Sequence, residues 1–117
     1  MKLITEEKIP SGARPAGILK SHEKQERYSE LLELERTGKI SGLRLRPYFE
    51  LLPFQITPDG VRNFRGAGYT ADFAYTENGE EVIEDVRSPS AKNEKDHMLR
   101  RKLMFYINGI YVKEVLR

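Results

Sequence analysis

The chain has 117 residues, enough for one domain with a real core and too few for two. Its 20 basic and 18 acidic residues leave a net charge of +2, so bulk charge alone does not mark a nucleic-acid binder. No cysteine is present, which excludes disulfides and cysteine-ligated zinc or iron–sulfur sites. The opening MKLITEEKIPSG has no apolar run of signal-peptide length, and no segment reaches membrane-spanning length, so a cytoplasmic protein is expected. Residues 1–19 hold Pro10, Gly12, Pro15 and Gly17 without apolar periodicity. They read as an irregular arm, with a short strand at its start, ahead of a domain over residues 20–117.

Ser21 is placed to N-cap a helix that runs to about Thr37, with Glu23 in its first turn and Gly38 past its end. Tyr28, Leu31, Leu32 and Leu34 define the predicted inner face. At about 100° per residue, Lys24 lies over Leu31 and Tyr28, Glu23 sits at the edge of that face, and Glu26 points outward. Residues 43–52 (LRLRPYFELL) alternate as a strand in which Pro47 marks an edge, a bulge or a bend. The glycine- and proline-rich stretch 53–68 reads as a loop. Its Arg62-Asn63-Phe64-Arg65-Gly66 mixes basic and aromatic residues suited to a nucleic-acid backbone or a splayed base.

A hairpin follows. Tyr69–Tyr75 and Glu81–Arg87 are rich in β-formers and flank Asn78-Gly79, the pair a type I′ turn demands. A two-residue turn there sets Asp72 opposite Asp85 and Thr70 opposite Arg87. Period-2 alternation then gathers Thr70, Asp72, Ile83, Asp85 and Arg87 on one face and turns Glu84 to the other. Directly opposed like charges destabilise a sheet, and a divalent cation is the simplest compensation. Ser88-Pro89-Ser90 stops the strand, Asn93 caps a second helix to about Asn108, Gly109 ends it, and Ile110–Leu116 alternates as a last strand. On that helix Lys102 shares a side with Leu99 and Tyr106 and is a candidate phosphate contact, while Arg100 and Arg101 turn away. His22 and His97, each without a second ligand at metal spacing, read as surface residues. The element order is αβββαβ: an α/β fold with a mixed central sheet flanked by two helices, its last strands joined by a right-handed crossover.

This order, with an acid on the second strand and Asp-x-basic on the third, resembles the PD-(D/E)XK nuclease superfamily and its restriction-endonuclease-like core. More narrowly, the chain resembles a small family of bacteriophages and prophages related to Holliday-junction resolvases. The matching stretches are Gly17–Ser21, Arg27–Leu31, Gly38–Ile40, Tyr69–Phe73, Val82–Arg87, Arg101–Met104 and Gly109-Ile110. The resemblance implies Mg²⁺- or Mn²⁺-dependent hydrolysis of DNA phosphodiesters, on branched or junction DNA, by a homodimer in the cytoplasm of a bacterial host. It implies metal ligation by Asp72, Asp85 and the Val86 carbonyl; Lys102, Arg62 and Arg65, singled out from their helix and loop, are the candidate DNA contacts. Two positions depart from the pattern. Arg87 stands where the family carries lysine; it can stabilise phosphate but cannot act as a base. Lys24 stands where the family carries a glutamate. Glu23 can supply that acid after a small helix rotation, or Lys24 itself can take over the work of the missing strand lysine. The alternative is a nuclease fold without catalysis that binds DNA or a protein.

Overall fold

Helix α1 (His22–Arg36) starts where the sequence places its cap: Ser21 is extended (φ −99°) and its hydroxyl accepts the Lys24 N–H at 3.1 Å. It stops at Thr37, before Gly38 at φ 82°. Leu31 is fully buried, with Tyr28 and Leu34 beside it. Leu32, predicted to face inward, is 43% exposed, because only a narrow stripe of α1 meets the sheet. The structure, a computed structural model, describes residues 3–5, 21–89 and 94–117. The rest of the predicted N-terminal arm, and the Asn93 cap, lie outside the described residues.

Both long strands predicted before the hairpin turn are bent in the middle. The first divides into β2 (Ser41–Leu45) and β3 (Pro47–Leu52), and the second into β4 (Ala67–Thr70) and β5 (Phe73–Glu77). The two bends face each other. Arg46, at φ 53°, donates its N–H to the Asp72 carbonyl at 3.0 Å, and Ala71 donates to the Pro47 carbonyl at 3.0 Å. Antiparallel pairing therefore keeps one register through the bend, from Leu45↔Phe73 to Tyr48↔Thr70. This bent ribbon passes from one sheet into another.

The hairpin register is the predicted one. Strands β5 and β6 (Glu80–Arg87) pair from Phe73↔Glu84 to Glu77↔Glu80 around Asn78 (φ 53°) and Gly79 (φ 80°). Its extent is shorter. After Asp72 donates its N–H to the Glu84 carbonyl at 3.1 Å, the chain turns away into β4, so Thr70 pairs with Tyr48 instead of facing Arg87. Helix α2 (Glu94–Asn108) and strand β7 (Lys113–Leu116) complete the chain, and β7 runs parallel to β6.

The main sheet has the order β2-β5-β6-β7, so with its helices it reads αβββαβ, an α/β fold with a mixed sheet. A second sheet, β1-β3-β4, takes in β1 (Leu3–Thr5), which ties the start of the chain to the domain. Alternation along β5 and β6 assigns the helices to opposite faces. Phe73, Tyr75 and Val86 pack with Leu31 of α1, while Ala74 and Ile83 pack with Met104 of α2 and with Val112. Residues 53–66 prolong the β3–β4 ribbon. Gln55 and Phe64 exchange backbone hydrogen bonds at 2.9 Å, Asp59 accepts from the Thr57 hydroxyl at 2.6 Å, and every residue except Thr57 is exposed. Among the described residues, no helix is long and apolar enough to cross a membrane.

Candidate active site

The bend of the ribbon sets Asp72 at the end of the main sheet beside Asp85 of β6, both buried. Each strand's backbone serves the other strand's acid. The Asp72 N–H donates to Asp85 Oδ1 at 2.8 Å, and the Val86 N–H donates to Asp72 Oδ2 at 2.8 Å. The Tyr69 hydroxyl donates to Asp85 Oδ2, and Lys24 Nζ reaches Asp72 Oδ1 at 2.7 Å. Part of the compensation that the facing acids demand thus comes from backbone donors, a phenol and an ammonium. These contacts use one bond per carboxylate oxygen, and each oxygen can accept another.

The balance of charge is incomplete. Lys24 offsets one of two buried carboxylates. Burial, and then the neighbouring charge of Asp72, push the Asp85 carboxyl up to about 6. Its burial and the Asp85 carboxylate likewise push the Tyr69 phenol up, so Tyr69 stays a donor.

A cleft of about 300 Å³ opens over this pair, with Lys24, Asp72, Asp85, Val86 and Arg87 among its lining residues. Five residues singled out in the sequence thus meet in one place. Thr70 also lines the cleft, from β4. Arg87 lies 3.9 Å from Glu114, and its side chain is 18% exposed. Glu23 is half-buried and does not line the cleft.

The sequence readings of Lys102, Arg100, Arg101 and His97 need correction. Lys102 is exposed, as are Leu99 (56%) and Tyr106 (87%). The side of α2 chosen as inward is its outer side, and Lys102 does not line the cleft. Arg100, read as turned away, lines the cleft instead; it donates to the Gly68 carbonyl and, at 3.1 Å, to Asp96. Arg101 also turns inward, 3.3 Å from Glu114. His97, read as a surface residue, lines the cleft and places Nε2 3.0 Å from Glu114 Oε2. His22 is exposed. Arg62 and Arg65 are exposed on the 53–66 arm, away from the cleft lining. The signal that finds the true face is the spacing of His97, Arg100, Arg101 and buried Met104, one helical stripe.

Glu84 lies on the opposite face, as alternation requires. Fully buried, it accepts from Arg27 Nε at 2.7 Å, Arg27 Nη2 at 2.9 Å and the Tyr75 hydroxyl at 2.6 Å. That bidentate pair ties α1 to β6 and holds Lys24, one turn earlier on α1, over the end of the sheet.

An all-oxygen donor set of two carboxylates and a backbone carbonyl suits Mg²⁺, which keeps several waters and uses one or two protein carboxylates. Among the described residues there is no cluster of three or more acidic, histidine or cysteine side chains suited to a metal. No curated protein and no solved structure matches the chain. The family model described as "Protein of unknown function (DUF1064)" matches residues 16–114, and the chain belongs to that family.

Proposed function

We propose that the protein is a metal-dependent DNA endonuclease of the PD-(D/E)XK type, acting on branched or junction DNA. The observation that carries this reading is a buried acid pair, only half neutralised by Lys24, on the floor of a cleft edged by Arg87, Arg100 and His97. Acids on the floor suit a cation, and the basic edge suits the charge of a phosphate. Asp72, Asp85 and the Val86 carbonyl would hold Mg²⁺ or Mn²⁺, which when bound supplies charge for the phosphate and acidifies a water.

The chain's own residues do the positioning. Arg87 and Arg100 neutralise phosphate oxygens as charge builds in the transition state. Lys24 brings an ammonium to Asp72 from a separate element, where it can position the attacking water in place of the strand lysine that Arg87 replaces. Arg62 and Arg65 bind the DNA backbone away from the cleft. A homodimer would present two clefts to the two strands of a symmetric junction.

The test is cleavage of labelled four-way-junction, flap and duplex DNA with Mg²⁺ or Mn²⁺, comparing wild type with Asp85→Ala. Metal-dependent cutting lost in the variant is expected. If neither protein cuts while both bind junctions, the nuclease reading fails and a non-catalytic DNA-binding role replaces it.

A further inference from the structure

The nuclease reading uses His97 only as part of the cleft's basic edge and gives no role to its partner Glu114, which is not among the lining residues. His97 reaches the cleft from α2 with its side chain 14% exposed, and its Nε2 is held 3.0 Å from Glu114 Oε2. Glu114 is itself placed by the main sheet, where it pairs with Asp85 across the β6–β7 ladder. Arg101 Nη1, 3.3 Å away, binds its other carboxylate oxygen. The Tyr69 ring, whose hydroxyl donates to Asp85, lies 6.0 Å from the imidazole, centroid to centroid. An imidazole whose one nitrogen is fixed by a carboxylate presents the other, Nδ1, for proton exchange. A surface histidine needs none of this support.

The direction of approach gives the pair a task. Lys24 comes from α1 and His97 from α2, and these helices cover opposite faces of the sheet that carries the acid pair. In phosphoryl displacement the attacking and leaving oxygens lie roughly in line on opposite sides of phosphorus. Lys24 and His97 thus come from helices on opposite faces of the sheet and suit different ends of such a displacement: the Lys24 ammonium orients the attacking water, and His97 gives a proton to the leaving oxygen.

Resting on the nuclease reading, we infer that His97 is a catalytic residue, the general acid that protonates the leaving oxygen, with Glu114 as its positioning residue. The water oxygen forms the new bond to phosphorus. The bond to the leaving oxygen breaks, and that oxygen keeps the electron pair and takes the His97 Nδ1 proton. The proton lost by the attacking water passes to solvent, and solvent reprotonates His97.

The experiment compares an ordinary junction substrate with one carrying sulfur at the bridging leaving position, mapped beforehand from the products. A thiolate leaves without a proton, so general-acid help is needed only for the oxygen substrate. With single-turnover kinetics, His97→Gln should lose about 100-fold on oxygen, the low end for general acid–base catalysis, and stay within a few-fold of wild type on sulfur. Glu114→Gln, which leaves the imidazole present, should reproduce the pattern more weakly and serves if His97→Gln does not fold. Equal losses on both substrates, or none on either, overturn the assignment and leave the pair a structural contact. A wild type that cuts neither substrate sinks the nuclease reading itself, a result distinct from equal losses in an active enzyme.

Discussion

Asp85 is the residue on which stability and function pull apart. Its carboxyl is raised to about 6 from an ordinary value of 3.8, by burial first and by Asp72 second. Below about pH 4 the group is protonated in folded and unfolded chains alike. As the pH climbs through about 6 the folded chain must ionise it at a cost, so this contribution to stability is present at low pH and lost above about 6. Two pKa units correspond to about 3 kcal/mol. Asp85→Asn should therefore melt higher than wild type at pH 8 in EDTA, and the gain should vanish near pH 4; a gain independent of pH would show that ionisation is not its source. Lys24 works in the other direction, as the only ammonium that the described contacts place on the acid pair. Lys24→Gln should slow cleavage about 100-fold while leaving Mg²⁺ binding, followed by calorimetry, as tight as in wild type or tighter, since it frees Asp72 Oδ1. Weaker metal binding in that variant would instead place Lys24 among the supports of the metal site.

At the scale of elements, the buried Arg27–Glu84 pair decides where α1 sits. Glu84 is completely enclosed and binds both Arg27 and Tyr75, and these contacts, Glu84 first, push the Arg27 guanidinium up. Removing one partner strands a buried charge. Arg27→Met should cost about 3–5 kcal/mol in a denaturant titration, and the double variant Arg27→Met with Glu84→Gln should recover much of it. Equal losses in single and double variants would mean that packing of the arginine stem dominates. The same elements show what could be read in advance. Ser21, Gly38 and Gly109 bound the helices, and Asn78-Gly79 sets the hairpin register, because each acts through local backbone geometry. Pro47 marks an edge, a bulge or a bend beside Arg46, but the facing bend at Ala71-Asp72 was hidden, because a ribbon that keeps its register through a bend keeps its alternation too. The inward side of α2 was hidden for a different reason. Met98, Leu99, Leu103, Met104, Phe105, Tyr106 and Ile107 surround the helix with apolar residues, and burial selects Met104, with His97 and Arg100 on its side. So the acid pair could be found from the turn, while Arg100 and His97 of the cleft's basic edge could not.

The whole molecule carries a net charge of only +2, so on the proposed nuclease reading a grip on DNA must come from where the charges lie. The cleft floor is acidic. The 53–66 arm is the complement: an ordered ribbon, exposed nearly throughout, carrying Arg62 and Arg65 beside exposed Phe54 and Phe64. Gly66 is needed where the arm joins β4, since a Cβ there would come within 2.9 Å of the Leu52 carbonyl oxygen. An arm of this kind contributes to binding without touching the chemistry, and salt separates the two. Each phosphate neutralised on duplex DNA contributes about 0.9 to the slope of log affinity against log salt. Replacing Arg62 and Arg65 with alanine should flatten that slope by up to about 2 and weaken junction binding most at low salt. The cleavage rate with all DNA bound should stay at the wild-type value, because neither arginine lines the cleft. A wild-type slope in the double variant would remove the arm from the interface, leaving the cleft's own arginines to hold the DNA. A lower rate at saturation would instead mean that the arm also orients the scissile phosphate over Asp72 and Asp85.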